Sequence, residues 1–405
     1  MEETRIPAKA AGGEVDQKAA RAEASGWIPG AAFGGATELG SERGWFGDVK
    51  RNLIFHIGAH RTATSAVQQY LHGNISALKQ LGFLYPFMAR RHVHVINQIF
   101  NRTRSPQQVS ADLMGRIKTH EQLHGRDLHS VVLSDEDICT RQDISLLGEF
   151  SSKFNVKVVF TLRRQDLWLE SWYLQNIKWQ WNPRLSHCTL SEFLRMREDF
   201  HWIHYNRYLR HLEKVFGREN VIVNLYEPGQ MPAGGAVQMF CDSIGLHPTA
   251  DFIAPVKVNP SFSPQVSEFM RCLPLDAAPE KYRAMLTAAC AEIDANQSGR
   301  QEPQPAPVLI PPEQRAAIMA RYARGNGALA RRYFDRDLLF LEPLPDPAAP
   351  LSEMALPRDS HQLMTEFVAP LLQAMIRRRR EEMGRKKARR LAREQEASGP
   401  RSVGP

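Results

Sequence analysis

Four short apolar runs punctuate the chain: LIFHI at 53–57, SVVLS at 130–134, VKVVFTL at 156–162 and VIVNLY at 221–226. Each is rich in β-branched residues and shows little polar alternation. Strands of that kind are buried on both faces, and their alternation with helical stretches predicts an α/β fold with a parallel sheet. Helical patterning covers 65–81, 166–181, 204–216, 235–245, 261–273, 280–295 and 312–334. A further apolar helix is predicted over 359–393, running into a basic end. Prolines break the pattern at 298–312 and 343–350. No internal repeat is present. In such sheets ligands sit beyond the carboxyl ends of the strands.

Residues 1–48 mix Ala, Gly and charge without periodicity and read as disordered. The reading of the chain is therefore an N-terminal segment 1–48, an α/β domain 49–340, a proline-rich break with a C-terminal helix 341–376, and a basic tail 377–405. With 43% hydrophobic residues over 405 positions, a sizeable core is within reach. No stretch approaches the ~18–20 consecutive apolar residues of a membrane span. The five cysteines (Cys139, Cys188, Cys241, Cys272, Cys290) are odd in number, scattered and without a CxxC pair. That argues against a disulfide framework and against a zinc site. No apolar signal core occupies the first thirty residues, so a cytoplasmic location is the expectation.

The net charge of +8 changes meaning once it is located. Residues 377–393 hold ten Arg/Lys against Glu381 and Glu382, an excess equal to that of the whole chain, so everything else is balanced. Nucleic acid or an acidic membrane surface is a partner only through this tail; a solvated helix is the alternative.

The chemistry concentrates after the first strand, in HIGAHRTATS (56–65). Gly58 allows a sharp turn off the strand. Thr62, Ala63, Thr64 and Ser65 open a helix whose unpaired N–H groups and positive dipole end attract an anion. Thr62, Thr64 and Ser65 add hydroxyl donors, Arg61 adds a fork of donors, and His60 is placed to touch the same anion. An ATP-binding loop reads GxxxxGK[ST]. Here Ala63 replaces the second glycine and Thr64 the lysine, which disfavours an NTPase. A second segment, TLRRQDLWLESWY (161–173), ends a strand in Arg163 and places Ser171 eight residues on, in a helix that Asp166 is positioned to cap.

Together these two segments resemble the nucleotide motifs of sulfotransferases that use 3′-phosphoadenosine 5′-phosphosulfate (PAPS), including bacterial and carbohydrate-acting members. In that resemblance Arg61 falls on the family's loop lysine, Thr62 on its Ser/Thr, Ala63 on its glycine, and Thr64 and Ser65 on its hydroxyl pair. Arg163 and Ser171 fall on its 3′-phosphate site. The resemblance spans roughly 52–340 and is sharp only at these motifs. It implies a P-loop NTPase-like three-layer fold, PAPS as donor, 3′,5′-adenosine bisphosphate as product, no metal, and a carbohydrate or other small hydroxyl acceptor. Lys257, near the loop that closes over the nucleotide, would add charge to the 3′-phosphate. The departure at Ala63 matters most: a Cβ there is expected to push the phosphate outward or to forbid a positive φ. A non-catalytic nucleotide binder of the same descent and a P-loop kinase are the alternative functions.

Sulfuryl transfer needs charge near the leaving oxygen and a base for the acceptor hydroxyl. Arg61 would supply the first. For the second, VVLSDEDI (131–138) puts Ser134, Asp135, Glu136 and Asp137 at a strand's carboxyl end. Glu136 is the first choice and Asp135 its rival. His92 and His94 form an HxH pair that would share one face of a strand, without an apparent third metal ligand. Arg90 and Arg91 suit an anionic acceptor or solvent. Trp168, Trp172, Tyr173, Trp179 and Trp181 cluster on one predicted helix, as core or as pocket lining.

Overall fold

The computed structural model describes residues 50–255, 262–298 and 308–398. The segment 1–48 and Lys257 lie outside these residues. In chain order the principal elements are β1 Asn52–His56, α1 Thr64–Gly73, α2 Ile75–Gln80, β2 Phe83–Leu84, α3 Val93–Phe100, α4 Pro106–His124, β3 Ser130–Ser134 and β4 Asn155–Leu162. They continue with α5 Gln165–Trp179, α6 Tyr205–Phe216, β5 Val221–Leu225, α7 Gly235–Ser243, α8 Pro264–Cys272, α9 Glu280–Ser298, α10 Pro312–Phe334 and α11 Ala369–Ser398. The described residues divide into two compact units, one of 50–164, 201–255 and 320–343, the other of 165–200, 262–298, 308–319 and 344–398.

The first unit is built on a five-stranded, all-parallel sheet in the order β2-β3-β1-β4-β5. Helices cover both faces, giving the three-layer α/β architecture with a parallel sheet that the apolar runs imply. Both faces are dry because neighbouring residues of one strand feed different layers. Ile54 packs with Val67 and Leu71 of α1 and Phe240 of α7, with Val132 and Val159 on the same face. Its neighbour Phe55 meets Phe150 edge-on at 5.5 Å, and Phe160 lies 5.0 Å from Tyr208 of α6. With every strand parallel, the carboxyl ends of β1, β3, β4 and β5 share one edge of the sheet.

Two local expectations are corrected. The stretch 65–81 is two helices, split at Asn74, whose amide donates to the carbonyls of Tyr70 and Ile253 and accepts from the Ile253 N–H. His92 and His94 are not on a strand. His92 immediately precedes α3 and is buried, its Nδ1 accepting from the Ser134 N–H at 3.0 Å and its Nε2 donating to Pro86 at 2.9 Å, while His94 is exposed.

In the second unit α5 buries Trp168, Trp172 and Tyr173 as core; Trp181 lies beyond the helix end, 63% exposed. Asp166 lies inside the first turn of α5. Its carboxylate is buried and pairs with Arg315 at 2.5 Å; Arg315 also reaches Glu170 at 2.5 Å, which accepts from the Leu309 and Ile310 N–H groups. A guanidinium bridging two buried carboxylates is costly to break, since each partner would remain charged and dry. The C-terminal segment is helical throughout 360–398, with one π turn at Met364–Val368.

Candidate functional site

The loop that leaves β1 is shaped by its own backbone. Gly58 has φ +103°, and a Cβ there would come 3.2 Å from the His60 nitrogen and 3.3 Å from Glu136 Cβ, so only glycine fits. Arg61 (φ 65°) and Ala63 (φ 62°) are both left-handed, whereas Thr62 between them is not. Alternating handedness of this kind turns successive N–H groups into one concavity, a nest suited to an anion. Ala63 is the residue that precedes α1, and no side chain caps that helix. The expectation that a Cβ at residue 63 forbids a positive φ is therefore wrong: the loop holds Ala63 left-handed regardless. Thr62 is buried and donates to the Ala59 carbonyl at 2.7 Å, which pins the turn; Thr64 is buried and Ser65 exposed at the start of α1.

Beside this loop, at the end of the adjacent strand β4, stands Arg163. Its Nη1 donates to the Arg61 carbonyl at 2.9 Å and its guanidinium lies 5.3 Å from the centre of the Tyr226 ring, a cation–π contact at the end of β5. Its backbone is fixed by the Tyr205 hydroxyl, which accepts from Arg163 N–H and donates to Arg163 C=O. Burial, and next the charge of Arg163, push Arg61 down to about 10. Two guanidiniums that repel one another in a half-buried crevice favour an anion between them.

On the other side of β1, the end of β3 presents the acidic cluster. Asp135 and Glu136 are buried, and the 3₁₀ helix Glu136–Thr140 carries Asp137. Arg91 engages all three: Asp135 at 2.6 Å, Asp137 at 2.5 Å and Glu136 at 3.5 Å. Against burial, these carboxylates, Glu136 foremost, hold the Arg91 guanidinium above its ordinary value. Burial raises Asp135 to about 6. Asp137, against the push of burial, is held down to about 2 by its hydrogen bond to His60 and by Arg91. Gln68 of α1 donates to Glu136 Oε2 at 2.5 Å, tying the proposed base to the helix that the loop opens. His60 faces the acidic cluster: Nε2 meets Asp137 at 3.0 Å and Nδ1 lies 3.7 Å from the Cys139 sulfur. Cys139 is buried, and burial raises its thiol far above the usual range, so it is a packing residue here.

The sequence-predicted residues Gly58, His60, Arg61, Thr62, Ala63, Thr64, Ser65, Glu136 and Arg163 thus gather at one edge of one sheet. Ser171 is a buried residue of α5 in the second unit. Gln68, Tyr205 and Tyr226 are partners that sequence reasoning did not assign, and Arg91, expected to face an anionic acceptor or solvent, pairs instead with the three carboxylates. Gln68 was accessible in principle, four residues after Thr64 and so on the same helical face. No group of three or more His, Cys, Asp or Glu able to hold a metal occurs among the described residues. Nor, among them, is any helix long and apolar enough to cross a membrane.

No family model matches the chain. Over 182 residues it is 28% identical to an uncharacterized protein of Archaeoglobus fulgidus, covering 44% of this chain and 46% of that one. The chain thus spans about half the length of the curated relative it matches. A sulfotransferase from Alicyclobacillus acidocaldarius superposes with a TM-score of 0.29 at 16% identity, covering 58% of this chain and 100% of that one. The fold assignment rests on the strand order and layers described above.

Proposed function

We propose that the chain is a sulfotransferase that binds PAPS at the carboxyl edge of its sheet and transfers the sulfuryl group to a hydroxyl of a carbohydrate or other small acceptor. The observation that carries this reading is the convergence of Arg163 on the loop at Arg61, two cations from adjacent strand ends beside an uncapped, nest-shaped helix start. PAPS, when bound, supplies an already activated sulfuryl group. The N–H groups at 62–65 and the hydroxyls of Thr64 and Ser65 bind the 5′ side. Arg61 stabilises charge at the leaving oxygen, and Arg163 takes the 3′-phosphate. Glu136 receives the acceptor's proton, with Gln68 and Arg91 fixing which way its carboxylate faces.

Calorimetry with 3′,5′-adenosine bisphosphate tests the binding half. Arg163→Ala is expected to weaken it by about 10–100-fold, the size of one charge-assisted pair. Preference for ATP with magnesium over the bisphosphate would replace this reading with a kinase. Labelled PAPS offered with sugars, lipids and phenols then tests turnover.

A further inference from the structure

The C-terminal helix α11 has two apolar faces, and only one of them is covered. Leu371 and Ala374 are buried, and ion pairs fasten this side to α9: Glu292 with Arg377 and with Arg378, and Glu382 with Lys281. Round the same helix, Leu372, Ile376 and Met383 are 52%, 52% and 59% exposed. At 3.6 residues per turn these three fall within about 40° of each other and about 100–180° away from the buried pair. Arg379, Arg380, Lys386, Lys387 and Arg390, all exposed, project within about 60° on either side of the stripe. Between Leu372 and Arg390 the acidic side chains are Glu381 and Glu382, which lie off the stripe, about 160° and 100° round.

We propose that this face of α11 is a docking surface for an anionic phospholipid bilayer, on which the helix lies flat. Bare apolar side chains between long basic ones are what an interfacial helix needs. The apolar groups enter the acyl boundary while the Lys and Arg heads stay among lipid phosphates. The complementarity is in charge as well as shape, because the tail carries an excess equal to the whole net charge of the chain. A nucleic acid would use the same cations but has no place for Leu372, Ile376 and Met383 in contact with its phosphates. This inference is independent of what the nucleotide loop binds.

The test is co-sedimentation of the full chain with vesicles of phosphatidylcholine alone and of phosphatidylcholine mixed with phosphatidylserine, at low and high salt. Pelleting is expected only with the mixed vesicles and is expected to weaken with salt. Ile376→Ser with Met383→Ser should lower the partition by about tenfold or more. Arg380→Gln and Lys387→Gln should each lower it by about fivefold. These side chains are exposed, so circular dichroism and melting should be unchanged, which separates lost docking from lost folding. Parental partition in the Ile376/Met383 variant, equal pelleting on neutral vesicles, or binding to RNA or DNA without binding to vesicles would each overturn the proposal.

Discussion

Replacing Ala63 by glycine isolates the strain that the loop stores. A left-handed residue with a Cβ costs roughly 1–2 kcal/mol relative to a right-handed one. Ala63 sits at φ 62°, ψ 22°, ahead of a helix without a side-chain cap. Glycine removes that cost but makes the unfolded chain freer by about 0.4–1 kcal/mol. The difference predicts that Ala63→Gly stabilises the first unit by about 0.5–1 kcal/mol. Ala63→Val, whose branched Cβ is the worst fit to this backbone, should destabilise it by more than the glycine gains. Because the chain holds two units, the measurement is hydrogen exchange along α1, where protection reports local opening, rather than one global midpoint. Nucleotide affinity follows in the same samples. The loop already adopts the nest with alanine, so affinity for 3′,5′-adenosine bisphosphate should change by less than about threefold. Reduced protection in the glycine variant would show that the Cβ supports the loop and would refute the strain argument. A hundredfold gain in affinity (~2.7 kcal/mol) would show instead that the Cβ obstructs the anion.

Glu136→Gln should lower turnover by about 10²–10⁴-fold while leaving bisphosphate affinity within a factor of a few; loss of both in calorimetry and rate measurements would make Glu136 structural. Acidification should weaken the first unit between about pH 6.5 and pH 4. Burial depresses both His56 and His92 to about 4, so each is neutral when folded and protonated when unfolded across that window, and their stabilisation is lost as pH falls. Asp135, raised to about 6, works in the opposite direction but is one group against two, leaving about one net proton, or ~1.4 kcal/mol per pH unit at most. Urea unfolding at several pH values checks the sign, and a stability that holds or rises towards pH 4 rejects it.

The strands were legible because burial on both faces leaves an unbroken apolar run, and such runs at 130–134 and 156–162 differ from β3 and β4 by at most one residue. β2 was not legible: two residues, Phe83 and Leu84, carry no period. The break at Asn74 was hidden for a different reason. Its cause is a pair of hydrogen bonds to Ile253, 179 residues away, and no local propensity encodes them. His92 misled for the same reason, since alternation with His94 resembles a strand while the Ser134 backbone 42 residues on draws one ring into the core.

The site divides along the same line. Its anion loop is contiguous, so glycine, hydroxyls and arginine in sequence were enough to find it. Its acid–base half is assembled from three separate places, Gln68 on α1, Arg91 before α3 and the carboxylates after β3; the acidic run carried a signal of its own, but its pairing with Arg91 and Gln68 did not. Yet Arg91 decides how the whole edge works. Three carboxylates next to a cationic loop would ordinarily neutralise it, and a carboxylate paired with Arg61 or Arg163 would not leave those cations to an anion. Arg91 takes up Asp135, Glu136 and Asp137 together. Burial, and after it the charge of Arg163, pushes Arg61 down against the opposing Tyr226. In the proposed reading, keeping the two signs of charge apart on one sheet edge is what would let an anion and a proton acceptor operate side by side.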